Sequence, residues 1–438
     1  MANLYCLGFV TGGLASPITG PLVDKLGRKK SAILYCVLEI IINRLEQYPV
    51  LAGLIISRMV GGITTNLLST VFDTWLDTEY RRRGIRKEGG YEIIMRDSVI
   101  VSNLAAIGSG YLAHTLAEAY GPKGPFEGAV TCTSIALIVI MFMWSENYGC
   151  GEDEVKSVTQ YMRETLTAFQ LDSRVLKLGI IQGMTCGSIQ IFIFLWSPAL
   201  RHFAVSAPVG SFGLDHAGEP AYGLIFGGFM AAGVLGGLTA PTIRRFATSM
   251  MSPAASNDGE QTNEDRPQRV EVLTSLCYLA SAGLLLLPCL LDGEGKHSFS
   301  ICLAAFLFYE YIVGLYLPWE GVLRSIYFPA EGRCSILTLP RIIVNVAVSG
   351  GVVLTNYMTM RSAFSSIVVL LLLAVGLQWS LRDSADKKST EKGTGAGAPE
   401  LTRASFFCTT TDCDDCSVAT ENTAIIDSLS SLDKIKRE

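Results

Sequence analysis

The residues of this chain best suited to chemistry are one compact charged string and a few charges set inside apolar stretches. The string is Gly20-Pro-Leu-Val-Asp24-Lys25-Leu-Gly27-Arg28-Lys29-Lys30. Asp24 can cap a neighbouring helix N-terminus, where its charge meets the positive end of the helix dipole. Gly20 lets two helices approach closely, and Gly27 suits a tight turn. A plain solvated loop is the alternative. The isolated charges are Arg58, Arg96, Asp97, Glu310 and Arg341, and the amides Asn103, Gln182, Gln190 and Asn345 accompany them. A charge inside a membrane span is costly and normally faces the bundle interior, where it meets a partner or a solute. Arg58 reads as structural, pairing with acids near its own helix end, and Asp73 reads as a second structural charge. Arg96 and Asp97 lie near the start of their span, where they can reach the surface. Arg341 lies well inside its helix and either contacts a solute or pairs with Glu310 on the preceding one. Glu310 fits proton coupling and charge compensation equally. Tyr309, Tyr311 and Trp319 read as packing residues. The histidines are scattered at 114, 202, 216 and 297, and no nucleophile–base set, metal cluster or phosphate loop accompanies them. Neither catalysis nor a cofactor is expected.

These residues must be held by apolar helices. Of the 438 residues, 49% are hydrophobic and only 17% charged, with a mean hydropathy of +0.37, against about 25% charged in soluble domains. A net charge of −5 without a basic stripe argues against nucleic-acid binding. Spans of about 20 apolar residues fit a bilayer core, and eleven candidates lie near 3–23, 30–47, 49–72, 93–115, 127–145, 177–198, 220–242, 271–291, 299–320, 334–356 and 363–381. Cytoplasmic loops collect Lys and Arg. With the loop after the first span inside, the inner segments carry 19 such residues and the outer ones five. Arg81, Arg82, Arg83, Arg86, Lys87, Lys156, Arg244, Arg245, Arg266, Arg269, Arg324 and Arg333 are among the inner ones.

The expected organisation is an all-α membrane protein. A bundle of five helices fills 1–145, a central cytoplasmic loop 146–176, a bundle of six helices 177–381, and a disordered cytoplasmic tail 382–438. In the central loop Val155, Val158, Met162, Leu166 and Phe169 recur at helical spacing, which suits either an interfacial amphipathic helix or a linker packed on the bundle. The stretch 249–267 is polar and reads as a loop. Cys408, Cys413 and Cys416 in the tail have no fourth ligand nearby and read as a solvated or lipidated thiol cluster. The cysteines within apolar runs read as small hydrophobes. No basic residue precedes Lys25, so no secretory signal is expected.

The string from Gly20 to Lys30 resembles, at every position, the G-x-L-x-D-[RK]-x-G-[RK]-[RK] loop of the major facilitator superfamily. Arg58-Met-Val-Gly61-Gly62 and the long central loop agree with that resemblance. It implies a bundle of twelve helices in two halves, a secondary transporter, and a conformational latch made by Gly20, Asp24, Lys25, Gly27, Arg28 and Lys29. A second latch is implied after the seventh span, where Gly237-Leu-Thr-Ala-Pro241 leads into Arg244-Arg245 with proline in place of the acid. The family's latch follows its second helix, so the resemblance implies that the usual first helix is missing. An incomplete gene model is the expected reason, and a true eleven-helix variant the alternative.

Further strings resemble the molybdate-anion transporter branch of that superfamily. They include Phe72-Asp73-Thr74-Trp75-Leu76, Ser145-Glu146-Asn147-Tyr148-Gly149, Ile193-Phe194-Leu195-Trp196-Ser197-Pro198, Gly314-Leu-Tyr-Leu-Pro318 and Pro329-Ala-Glu331-Gly-Arg333. Asp73 for the commoner Glu, Pro340 beside Arg341, and the long 201–219 segment depart from it. The branch implies uptake of an oxyanion, molybdate, by alternating access at the cell membrane, with a coupling proton or other ion and the lipid bilayer as partners. A tetrahedral dianion needs cationic and neutral donors in a wet cavity, and arginine's planar fork can hold two of its oxygens. On that reading Arg341, Asn345, Glu310, Arg96, Asn103 and Gln182 are the candidate substrate site. A carrier of another small solute, or a receptor or adaptor of the same fold that transports nothing, are the alternatives.

Overall fold

The computed structural model describes residues 2–394, apart from 49, 84–89, 149–156, 209, 216–217, 252–264, 292, 294, 329–332 and 356–358. Arg86, Lys87, Lys156, His216, most of the polar stretch after Ser249, Glu331 and the tail cysteines Cys408, Cys413 and Cys416 therefore lie outside the described residues. The chain divides into a unit Met1–Ala385 and a second, Asp386–Glu438.

Every regular element among the described residues is helical. The α-helices are α1 (Ala2–Leu26), α2 (Arg28–Glu46), α3 (Leu51–Arg82), α4 (Gly90–Tyr120), α5 (Gly124–Met143), α6 (Val158–Leu171), α7 (Ser173–Ala204), α8 (Tyr222–Met251), α9 (Asp265–Leu290), α10 (Ser298–Tyr327), α11 (Arg333–Thr355) and α12 (Met360–Thr394). In hydrocarbon a helix satisfies its own backbone, so proline within it is tolerated where neighbouring groups cover the freed carbonyl. Pro17 and Pro21 in α1, Pro198 in α7, Pro241 in α8 and Pro318 in α10 are such cases. By length and composition, eight described segments are long and apolar enough to cross a membrane. They are fewer than the sequence-based spans for identifiable reasons. The turn Gly121–Lys123 runs α4 and α5 into one segment, α2 is loaded with Arg28, Lys29, Lys30, Glu39, Arg44 and Glu46, and α11, which carries Arg333 and Arg341, is not among the eight.

The bundle is inside-out by soluble standards. Leu14, Phe142, Leu224 and Leu290 are exposed on its outside, as a lipid-facing surface requires. The main core lies among α7–α12, where Phe192, Phe306, Tyr309, Tyr316 and Trp319 are fully buried. A smaller core holds Val23, Cys36, Leu67, Val71 and Ile140 from the first five helices together with Cys334 of α11. The halves meet where α1 packs on α11 and where α4 packs on α8 and α10. Between the halves, α6 lies against α1, α7 and α11. It opens on a capping box, with Ser157 Oγ accepting from Gln160 N–H at 3.3 Å and Gln160 Oε1 from Ser157 N–H at 2.8 Å. Tyr161 is buried, and Ala168 and Phe169 pack on the main core.

Candidate functional site

The charged string forms the end of α1, a turn and the start of α2. Asp24 is buried at 3% exposure, and its Oδ2 accepts from both the N–H and the Oγ–H of Ser335, at 3.0 and 2.8 Å. Ser335 lies in the first turn of α11, so a carboxylate from one half caps a helix of the other. Gly20 makes the contact possible: a Cβ there would stand 2.6 Å from the Cys334 carbonyl and 2.7 Å from Ser335 Cα. Gly27 has φ 90°, and a Cβ there would meet the Glu146 carboxylate at 2.5 Å. That carboxylate in turn accepts from the N–H groups of Lys29 and Lys30, at 2.8 and 3.2 Å, and caps α2. Arg28 is buried and donates to Thr78 and to Asn147, whereas Lys25 is exposed. Trp75, whose carbonyl accepts from Asn147 Nδ2 at 3.2 Å, stacks on Trp144 with centroids 3.9 Å apart.

Replacing Asp24 by Asn keeps the shape and removes the charge that faces the α11 N-terminus. The expected result is an unchanged amount of folded protein with slower transport, since such a charge contributes about 0.3–2 kcal/mol to one side of a two-state balance. The rate per folded molecule, at matched membrane expression, checks it. A wild-type rate argues against the latch role that the resemblance implies for Asp24.

Three further ties join the halves at the same end. Asp77 on α3 pairs with Arg333 of α11, both nearly buried, and also accepts from Arg81 at 2.9 Å and Ser325 at 3.2 Å. Asp73 pairs with Arg324 of α10 at 3.2 Å. Glu92 at the start of α4 pairs with Arg244 of α8 and accepts from Trp319 Nε1–H at 3.2 Å. Proline replaced the acid of the second string, yet its arginine has found a carboxylate on another helix. Arg58 pairs with Glu46 at 2.9 Å, within the first half.

The candidate substrate donors separate into two groups. Gln182, buried on α7, donates to the Glu320 carbonyl at 3.1 Å and lies 3.5 Å from Arg324. Arg341 on α11 is within electrostatic reach of Arg324, Asp73 and Cys186, and has no hydrogen-bond or ion-pair partner among the described residues. Asn345, one turn further along the same face, is 5% exposed, and its Nδ2 donates to nothing among those residues. It stands against Gly12 of α1, beside Asn66, whose Nδ2 donates to the Gly12 carbonyl at 2.8 Å. Arg341, Asn345 and Gln182 thus gather between the halves, with Arg324 added. The other three are placed apart. Arg96 is bonded to its neighbour Asp97 at 2.6 Å, the Asn103 amide lies against Gly233 of α8, and Glu310 forms no ion pair with Arg341. Consecutive helices brought Glu310 and Arg341 near in sequence order, but their faces differ. An open groove of about 560 Å³ between α7, α11 and α12, lined by Ile191, Val346, Ser362 and Ser366, is apolar and shares none of these donors.

Sequence reasoning missed Glu320, Asp77 and Glu92 as partners. Glu320 is 1% exposed, and its Oε1 accepts from Thr185 Oγ–H and Tyr278 O–H, each at 2.8 Å. A carboxylate at the end of an apolar run was the available signal.

Residues 1–248 match the MFS family model described as sugar transporters with 12 TM segments. The molybdate-anion transporter of Xenopus tropicalis is 28% identical over 384 residues, covering 86% of this chain and 76% of the relative. That of Danio rerio is 26% identical over 367 residues, with 77% and 68% covered. Among solved structures, the human organic anion transporter MFSD10 (TETRAN) superposes with a TM-score of 0.59 at 14% identity, over 86% of this chain and 83% of that one. At that identity the likeness concerns the fold.

Proposed function

The chain belongs to the major facilitator superfamily, and from its central donor cluster we propose that it carries a tetrahedral oxyanion, molybdate, into the cell by alternating access. That it is a multi-pass membrane transporter is the premise, given by the family and the apolar helices. The observation that carries the substrate class is Arg341. A cation within a helix bundle is costly unless an opposite charge meets it, and among the described residues none forms a pair with it. Asn345 adds a buried amide donor without an acceptor on the same face. A guanidinium fork plus neutral N–H donors suits an anion with oxygens at tetrahedral spacing. The relatives named for molybdate-anion transport support that choice among oxyanions. In this reading the halves rock about the cluster, the Lys- and Arg-rich end faces the cytoplasm, and the tail lies on that side of the cell membrane.

Uptake of radiolabelled molybdate by cells expressing the chain tests this, with sulfate as competitor. Saturable uptake above that of control cells is expected, inhibited by excess unlabelled molybdate. Uptake no greater than in control cells, with the protein present in the membrane, rules the reading out.

A further inference from the structure

The open groove between α7, α11 and α12 takes no part in the donor cluster. Successive residues of a helix turn by about 100°, so Val346, Ala347 and Gly350 lie on the side of α11 turned away from Arg341 and Asn345. Val346 is 66% exposed, and Val369 on the facing wall of α12 is 54% exposed. A Cβ on Gly350 would meet no atom within 4 Å. The groove is therefore open space on the lipid-facing side. Helix α12 does not close it, because its inner face is committed elsewhere. Phe364 stacks on Phe306 of α10 with centroids 5.7 Å apart, and Ile367 and Leu371 are buried in the main core.

The polar groups of the groove gather at one end. Ser362, Ser365 and Ser366 stand on the first two turns of α12, and Val369 and Leu370 follow deeper in the span. Ser365 Oγ–H donates to the Arg361 carbonyl at 2.9 Å, and Ser366 Oγ–H to the Ala363 carbonyl at 2.7 Å. A hydroxyl has one hydrogen and two lone pairs, so with the hydrogen spent on the backbone each of these oxygens can only accept. A fitting occupant brings a donor at that end and an apolar body below it. A phosphate or ester group brings acceptors alone.

The surroundings also select the body. Lipid tails are already apolar, so moving an alkyl chain from the bilayer into the groove gains little. Ordering a flexible chain costs rotamer entropy, whereas a rigid fused-ring body has almost none to lose. The volume of about 560 Å³ falls within the range of small-molecule sites, about 300–1,000 Å³.

We propose that this groove binds a membrane sterol, whose hydroxyl donates to Ser366 Oγ while its fused rings lie along Val346, Gly350 and Val369. Arg361, beside the polar end, turns its guanidinium toward the Leu291 carbonyl at 3.5 Å and takes no part. The sterol braces α12 against α11 on the side opposite the anion donors, and it binds whatever solute the carrier moves.

The test uses the full chain in detergent micelles with tritiated cholesterol. Saturable binding of one sterol per chain is expected. Cholestenone, with a ketone in place of the hydroxyl, offers no donor and should compete about tenfold more weakly. Gly350→Leu fills open space without a clash and should weaken binding about tenfold. Ser366→Ala removes the acceptor, so cholesterol should bind about fivefold more weakly and cholestenone as before. Binding that does not saturate, equal competition by the two sterols, or undiminished binding to Gly350→Leu overturns the proposal. Displacement of cholesterol by equimolar phosphatidylcholine overturns it as well, and assigns the groove to a phospholipid tail. If Gly350→Leu fails to accumulate, an unchanged cholesterol affinity in Ser366→Ala overturns it instead.

Discussion

Arg341→Ala is expected to abolish molybdate uptake while leaving the amount of folded carrier in the membrane unchanged. The two halves of that expectation have separate causes. Uptake is lost because the guanidinium is the cation in the donor cluster that no carboxylate pairs with among the described residues. Folding is spared because removing such a cation strands no counter-charge, whereas breaking a buried pair does. Arg341→Lys keeps the charge and loses the fork, so some uptake should remain with KM raised about tenfold. Glu310 does not pair with Arg341, so the double change Arg341→Ala with Glu310→Ala should restore nothing. Radiolabelled uptake at matched membrane expression reads all three variants, and an active double variant takes Arg341 out of the site.

The second large effect falls on stability. Asp77 and Arg333 have side chains 4% and 5% exposed, and they join α3 to α11. Asp77→Asn leaves the buried guanidinium without that charge, which costs about 3–5 kcal/mol. Arg333→Met should cost less, because Arg81 and Ser325 remain to satisfy Asp77. Thermal unfolding of the detergent-solubilised protein should therefore rank wild type above Arg333→Met and both above Asp77→Asn. Equal melting of wild type and Asp77→Asn would mean that the pair contributes nothing to holding the halves together.

The helices and the string at the end of α1 were readable because their signals are local. Hydropathy marks a span within about 20 residues, and Gly20, Asp24 and Gly27 stand close enough together to be read as one device. That Asp24 faces a helix start was readable as chemistry, but which helix was not, because Ser335 lies 311 residues away. The same holds for Glu92 with Arg244 and for Asp77 with Arg333, where each sequence neighbourhood shows only a charge near a span end. The partner of Arg244 is not readable beside Pro241, because the carboxylate that meets it sits on α4. Arg341, Asn345 and Gln182 were recognisable as donors inside apolar runs. Their gathering, and the separate placement of Glu310, Arg96 and Asn103, depends on helix rotation, which a run of nearly uniform hydrophobicity does not record.

The position of the ties sets a lever. Asp24–Ser335, Asp77–Arg333, Asp73–Arg324 and Glu92–Arg244 all lie toward one end of the helices. Rocking that keeps them intact must pivot there. A helix the length of α11, 23 residues, reaches about 35 Å from such a fulcrum, so a tilt of about 10° displaces its far tip by roughly 6 Å. Arg341 and Asn345 sit on the short arm, where the same tilt moves them only about 2–3 Å. Under the proposed alternating access, small adjustments at the donors would thus become a wide swing at the opposite mouth, and the fulcrum would pass to the other end only when all four ties let go.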